Sequence, residues 1–291
     1  MERLGAVSKN LLDLKEDEKN LAKCRSAHLR EAAYLISRAD PDGDLDILRD
    51  GYISARDQLC DEVGLNKDER IILCSHLSEF IAGGSDDREI LKKFLQAEEA
   101  PDSPVICYLR NPIADLAYTE FVREIPKAGV LYADSFQAVC ENLIDGESDY
   151  AILPLVSGSD GRLSRFEAMI SSYGFVISAV AAVTPNPDSP SDRFALLSRS
   201  AELPRKASAA ECLHLKITIP SSGDPGALIS AARESGAELI ETGTVYQDSR
   251  KSFSFAFEIT NANLAVLLTY LAFEEGGFVV NGLFTTQKTP D

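Results

Sequence analysis

The amino-acid sequence predicts a chain that combines α+β and α/β architecture in three successive parts. We expect an N-terminal helical domain, then a single-lobe α/β domain with a largely parallel sheet, and finally a ferredoxin-like βαββαβ domain. In the first part, apolar residues recur every three or four positions, which is the spacing of a helix. In the second part, short apolar runs typical of strands alternate with helical patterns, and in the third part apolar and polar residues alternate within the strands. The predicted boundaries are 1–100, 101–204 and 205–291.

The first part is predicted to contain three long helices and one short one. The first helix covers residues 4–37, where apolar residues fall on one face, and the polar stretch 39–44 ends it. The second helix stops at Gly64. The third begins after Asn66, a residue type that caps helix N-termini, and ends before Gly83.

Strands and helices alternate in the second part. This rhythm is typical of an α/β domain, because each helix carries the chain back across the sheet to start a parallel strand. The predicted strands are 105–109, 129–133, 150–156, 175–185 and 193–199, and the predicted helices are 113–125, 135–146 and 163–174.

The third part has two helical patterns separated by alternating strands. The order of these elements is βαββαβ, which is the order of the ferredoxin-like sandwich. The predicted strands are 213–220, 238–248, 251–260 and 278–284, and the predicted helices lie within 223–237 and 261–276.

The composition excludes several kinds of partner and site. With 29 Lys and Arg against 46 Asp and Glu, the net charge is −17, which repels phosphate backbones, so nucleic acid is not an expected partner. The longest apolar run, 175–183, is too short to cross a membrane, and we expect a cytoplasmic protein without a membrane partner. The six cysteines and three histidines are scattered, so no metal and no cofactor are expected.

Four segments carry resemblances to three known families. The loop and helix start "DPGAL" after the first strand of the third part resembles an ACT domain, an amino-acid-sensing module. The segments 134–155 and 191–198 are similar to prephenate dehydratase, and "DILRD" at 46–50 resembles a helical chorismate mutase. From the N-terminus, the mutase-like, dehydratase-like and ACT-like parts follow in the order found in a bifunctional chorismate mutase and prephenate dehydratase, which the whole chain resembles.

The resemblance implies a set of candidate site residues. The candidate catalytic residues are Arg49, Asp192 and Arg193. The candidate ligand-binding residues are Ser157, Ser159, Gly161, Phe194, Asp224, Pro225, Gly226, Ala227 and Leu228. In the ACT-like unit, the free N–H groups at a helix N-terminus would hold the carboxylate of an amino acid.

The sequence departs from the dehydratase pattern at its reactive positions. The family's Glu-Asn-Ser turn is replaced by Val156, Ser157 and Gly158, and the threonine of its Thr-Arg-Phe motif is Asp192. The family inserts a second lobe where this chain has only residues 185–191. We therefore expect a cleft with one wall facing solvent, which suits dehydration of prephenate poorly because water is not excluded.

The principal hypothesis is a pseudoenzyme of the prephenate dehydratase family, linked to phenylalanine biosynthesis and acting in ligand sensing or regulation. One alternative is an active enzyme of that pathway, a chorismate mutase (an isomerase) or a prephenate dehydratase (a lyase). Another is a regulatory partner subunit that binds through its ACT-like domain. The expected partners are a small molecule, namely an aromatic amino acid, prephenate or chorismate, and further copies of the chain in a homo-oligomer.

Overall fold

The computed structural model describes residues 2–38, 40, 44–125, 127–184, 190–204, 211–247 and 250–287. Its contacts group the chain into two units. The first unit comprises residues 1–86 and 265–276, and the second comprises 87–264 and 277–291. The division of the chain into three domains, with boundaries after residues 100 and 204, stays a prediction. The connections predicted at 39–44, 185–191 and 248–250 lie partly outside the described residues.

Nine helices and ten strands occur in the described part of the chain. The helices are α1 (Glu2–Ser37), α2 (Leu45–Val63), α3 (Lys67–Ala82), α4 (Asp87–Leu95), α5 (Pro112–Glu124), α6 (Phe136–Asp145), α7 (Ser164–Tyr173), α8 (Pro225–Glu234) and α9 (Leu264–Phe273). The strands are β1 (Val105–Leu109), β2 (Gly129–Ala133), β3 (Tyr150–Ser157), β4 (Gly161–Arg162), β5 (Val176–Val183), β6 (Asp192–Ser198), β7 (Glu211–Pro220), β8 (Glu238–Gln247), β9 (Arg250–Glu258) and β10 (Val279–Gln287). No described helix is both long and apolar enough to cross a membrane.

The helix ends of the first unit follow local sequence signals. The Asn66 side chain accepts a hydrogen bond from the Glu69 N–H at 3.0 Å, and the Glu69 carboxylate accepts one from the Asn66 N–H at 3.0 Å. This capping box starts α3. Gly64 and Gly83 end α2 and α3 with φ angles of 68° and 53°, a backbone region that favours glycine. The predicted cap and both predicted helix ends are confirmed.

The sheet of the second unit is mixed, which corrects the prediction of a largely parallel sheet for the middle of the chain. The strand order is β2-β1-β3-β6-β5-β10-β7-β9-β8, and β4 pairs with β3. Strand β1 is parallel to β2 and β3, whereas β6 is antiparallel to both of its neighbours, β3 and β5. The connection from β5 to β6 is too short for a parallel crossover, so these strands pair as a hairpin.

Strands β7 to β10 continue the same sheet. Their order, β10-β7-β9-β8, is antiparallel throughout, and the order of elements along the chain is βαββαβ as predicted. Strand β10 also pairs in parallel with β5, at Ile177↔Gly282 and Ala179↔Thr285. This one pairing joins the strands of the middle and C-terminal sections into a continuous sheet.

Buried side chains pack on both faces of the middle strands. On one face, Ile152, Phe194 and Leu196 pack with α5 residues that include Phe121. On the other face, Leu153, Ala195 and Leu197 pack with residues from α6 and α7. Because successive strand residues point to opposite faces, a neighbouring residue such as Arg193 projects away from the α5 side.

Candidate functional site

A cavity of about 930 Å³ lies in the second unit, between two walls that both derive from the mixed sheet. One wall comes from β3 to β6 with α5 and α7, and the other comes from β7 to β10. Strands β5 and β10 pair at only two positions among the described residues, Ile177 with Gly282 and Ala179 with Thr285. The expectation of a cleft with a single wall is therefore corrected, because the C-terminal strands supply a second one.

The register of the C-terminal strands sorts their residues onto two faces. His214 is paired with Glu258 and Phe284, and Lys216 is paired with Ala256, which puts all five residues on one face. These five residues line the cavity. The alternate residues form the opposite, buried face, and they include Leu215, Ile217, Phe255, Phe257 and Leu283. The two-residue period of a strand thus gives this sheet a polar face toward the cavity and an apolar face toward its core.

One carboxylate in the cavity lining, that of Glu241, pairs with Arg162 and is influenced by the charges of two further cationic side chains. The Arg162 guanidinium donates to the Glu241 carboxylate, and Arg162 Nε lies 4.0 Å from Glu167 Oε1. The hydrogen bond from Arg162 lowers the pKa of Glu241, and the positive charges of Lys216 and Arg193 lower it further. Glu241 is therefore ionised at neutral pH and forms the centre of a cation cluster made of Arg162, Arg193 and Lys216.

An aromatic surface lies on the same wall as Lys216. The His214 ring stacks on Phe284 with centroids 5.4 Å apart and an angle of 15° between the planes. His214 Nε2 lies 2.8 Å from Thr286 Oγ1, and burial lowers the pKa of the imidazole below its ordinary value of 6.5. At pH 7 this histidine is neutral, so it adds a flat, weakly polar surface rather than a fourth positive charge.

The predicted turn residues come together, but they satisfy one another. Ser157 Oγ lies 3.0 Å from Ser159 Oγ, and the Gly158 N–H donates to Asp192 Oδ1 at 2.7 Å. Gly161 closes the turn with a φ of 76°. None of these five residues is among the described residues that line the cavity, whereas Arg193 does line it.

The other predicted residues are spread over the fold. Phe194 is buried in the core on the α5 side of the sheet. Arg49 lies on α2 in the first unit, and its guanidinium packs against Gly276, where any larger residue would clash with it. Its Nε atom is buried without a hydrogen-bond partner among the described residues. Asp192 and Arg193 belong to the second unit.

The predicted "DPGAL" segment forms the start of α8. Asp224 is the N-cap and its Oδ1 accepts a hydrogen bond from the Ala227 N–H at 2.9 Å, while Pro225 occupies the first turn. The side chains of Ala227 and Leu228 are buried, and Gly226 is exposed. The Asp224 carboxylate thus already accepts a hydrogen bond from the Ala227 N–H, one of the N–H groups expected to hold the carboxylate of a ligand. Ligand binding at this segment stays a prediction.

Several cavity residues were not predicted from the sequence. Arg162, Lys216 and Glu241 lie far apart in the chain, and no short motif links them. One signal was present: in "LHLKITIP" the polar residues His214, Lys216 and Thr218 alternate with apolar ones. That pattern fixes a polar face but is equally typical of a strand facing solvent. Among the described residues, no group of three His, Cys, Asp or Glu side chains could hold a metal ion.

No protein-family model matches this chain, and no curated protein matches it. Among solved structures, it is similar to prephenate dehydratase from Streptococcus mutans, with 18% identity over 63% of this chain and 99% of that one, and a TM-score of 0.48. It is similar to prephenate dehydratase from Arthrobacter aurescens in complex with L-Phe, with 13% identity over 62% and 89% of the chains and a TM-score of 0.46. It is also similar to GqqA, named as a novel type of quorum quenching acylase, with 17% identity over 64% and 96% and a TM-score of 0.46.

Proposed function

We propose that this chain binds a small organic anion with an apolar, ring-sized body, of the kind handled in aromatic amino acid biosynthesis, and that it does not dehydrate prephenate. The cation cluster beside an apolar floor in the cavity carries this proposal. The chain would then be a ligand-binding relative of the prephenate dehydratases. A sensing or regulatory role is part of the proposal, as is assembly into a homo-oligomer.

The cationic groups in the cavity lining, rather than its net charge, favour an anionic ligand. The lining also carries five carboxylates, those of Glu120, Glu124, Glu167, Glu241 and Glu258. Among the described residues, Arg193 and Lys216 form no ion pair within 4.0 Å, although both lie close enough to Glu241 to lower its pKa. A carboxylate placed between them would accept charge-assisted hydrogen bonds, which are stronger than neutral ones. Arg193 lies on β6 and Lys216 on β7, and both residues line the cavity.

The rest of the cavity favours an apolar ligand body. Leu155, Ile177 and Val180 line the first wall, and the stacked pair of Phe284 and His214 lines the second. A volume of about 930 Å³ is within the usual range for small-molecule sites, which are mostly apolar with a few polar groups that orient the ligand. A six-membered ring with a short carboxylate arm meets these requirements.

Two carboxylates, those of Glu241 and Asp192, are poorly suited to dehydration. Loss of a hydroxyl needs a protonated acid near the leaving group. Glu241 has a lowered pKa and holds no proton at neutral pH, and the Asp192 carboxylate is engaged with the Gly158 N–H. The Val-Ser-Gly turn at 156–158 carries only a hydroxyl that already contacts Ser159 and Asp160.

Titration calorimetry with phenylpyruvate tests the binding proposal. The native chain is expected to bind this anion, and Arg193→Ala is expected to weaken binding roughly tenfold to a hundredfold, because one charge-assisted contact is lost. Arg165→Ala is the matched control, since Arg165 is an exposed residue of α7 that does not line the cavity. Absence of binding, or equal weakening by both substitutions, would contradict the proposal.

Proton NMR of prephenate incubated with the pure protein tests the absence of dehydratase activity. Phenylpyruvate is expected to form only as fast as in a protein-free control. Chorismate in a parallel sample tests the alternative of a mutase, for which the candidate residue is Arg49. Phenylpyruvate formation above the control would overturn the non-catalytic proposal. Prephenate formation from chorismate that Arg49→Ala abolishes would establish the mutase alternative.

A further inference from the structure

Glu241 occupies an irregular position in β8. The pairing of β8 with β9 runs Glu238↔Glu258 and Leu239↔Phe257, and then shifts to Glu241↔Ala256. Ile240 is the extra residue: β8 advances by two residues, from Leu239 to Glu241, while β9 advances by only one, from Phe257 to Ala256. This is the arrangement of a β-bulge, a feature that frequently re-aims a side chain beside a functional site.

The bulge determines which face of the sheet Glu241 occupies. In an unbroken ladder, the register that pairs Leu239 with Phe257 would pair Glu241 with Phe255, on the buried apolar face. The extra residue shifts Glu241 to the face of Ala256, which lines the cavity. A shift of one residue exchanges the two faces of a strand, so the bulge is what delivers this carboxylate to the cation cluster.

The position of Glu241 is the one that a ligand carboxylate would need. Its carboxylate accepts from Arg162 and lies in the field of Lys216 and Arg193, the same cations that the proposed function assigns to an anionic ligand. Two carboxylates competing for one cation cluster repel each other, so a ligand must either displace Glu241 or bind against its charge.

We infer that Glu241 is a built-in competitor of the ligand, a carboxylate gate that the bulge at Ile240 places over the cation cluster and that moves aside when an anion binds. This inference rests on the proposed function and names the residue that regulates the site.

The location of Glu241 allows such a movement. Strand β8 ends the sheet and pairs only with β9 among the described strands. The Ile240 side chain is 53% exposed. The space beside the Gly243 Cα, where a larger residue would place its side chain, is empty to a distance of 4 Å. A bulge on an edge strand with open space beside it can shift while few packing contacts are lost. The gate therefore lies on the part of the wall that is least held by its neighbours.

Calorimetry with phenylpyruvate on three proteins tests the gate. Glu241→Gln keeps the shape and a hydrogen-bond acceptor while removing the charge, and it is expected to bind phenylpyruvate about tenfold more tightly than the native chain. Glu238→Gln is the matched control, because it removes the same charge from the same strand, before the bulge and outside the cavity lining. Its affinity is expected to stay within about twofold of the native value. Glu241→Ala, which also removes the carboxylate, guards against a local effect of the Gln side chain and is expected to bind more tightly as well.

The outcomes separate the gate from the proposed function. If the native chain binds phenylpyruvate but Glu241→Gln and Glu241→Ala bind it equally well or more weakly, the gate is wrong and the binding proposal stands. A gain in Glu238→Gln equal to that in Glu241→Gln also overturns the gate, since net charge alone would explain it. If none of the proteins binds, both proposals fail.

Discussion

Replacing Glu274 with alanine is expected to lower the free energy of unfolding by about 3–5 kcal/mol, the cost of breaking a buried ion pair from one side. Glu274 belongs to the first unit, and its side chain is only 4% exposed. Arg70 Nη1 donates to its Oε2 at 2.9 Å, Arg56 Nη1 lies 3.7 Å away, and the Tyr52 hydroxyl donates to its Oε1. Removing the carboxylate leaves these donors without their shared acceptor.

The surroundings of Glu274 explain the size of this effect. Burial, together with the nearby Cys74 and Glu274, raises the pKa of Tyr52 well above its ordinary value, and burial raises the pKa of the Cys74 thiol to about 12. Tyr52 and Cys74 have no exposed surface, so water is largely excluded from this region and an unpaired charge is costly there. The Tyr52 ring also stacks on Phe273 with centroids 5.4 Å apart, so the polar network is packed against an apolar one.

Urea unfolding followed by circular dichroism at 222 nm measures the effect, because α1 to α3 and α9 of the first unit contribute most of the helical residues behind this signal. Glu79→Ala is the control: Glu79 pairs with Arg30 at 3.0 Å, but both side chains are at least half exposed. An exposed pair contributes about 0–1 kcal/mol. Equal losses in the two variants would show that the Glu274 network does not stabilise the helices as inferred.

Phe257→Ala is expected to destabilise the second unit by about 3–5 kcal/mol, the usual cost of truncating a fully buried phenylalanine. Phe257 lies on β9 with no exposed surface, on the face opposite to the cavity, and its ring lies 6.0 Å from that of Phe255. Truncation removes apolar surface from the core and leaves a void that the surrounding strands can fill only in part.

Thermal unfolding with and without phenylpyruvate tests both the magnitude and the location of this effect. Leu239, the cross-strand neighbour of Phe257, is 40% exposed, so Leu239→Ala is expected to cost less than half as much. If Phe257 packs only in the core, the variant that remains folded should keep its affinity for phenylpyruvate. A loss no larger than that of Leu239→Ala would place Phe257 outside the core.

Local signals in the sequence determined much of the fold. Asn66 and the glycines after the helices gave correct ends, since caps and left-handed residues act on the nearest backbone groups. The βαββαβ order was likewise predictable, because each element is set by the hydrophobic period of its own residues. Of the candidate site residues, Asp192 accepts a hydrogen bond from the Gly158 N–H beside Ser157, and Arg193 lines the cavity. The roles of these residues in binding or catalysis stay a prediction.

Only the tertiary structure decided what those elements form together. The parallel pairing of β5 with β10 joins residues from distant parts of the chain, and no short-range pattern encodes which strands become neighbours. That pairing joins two groups of strands whose residues line the cavity, among them Arg162, Arg193 and Lys216. The bulge at Ile240 decides that Glu241 faces them, because a one-residue slip in a strand exchanges its two faces. Sequence alone thus determined the elements and their polar faces, whereas strand pairing and register decided which of those faces became a site.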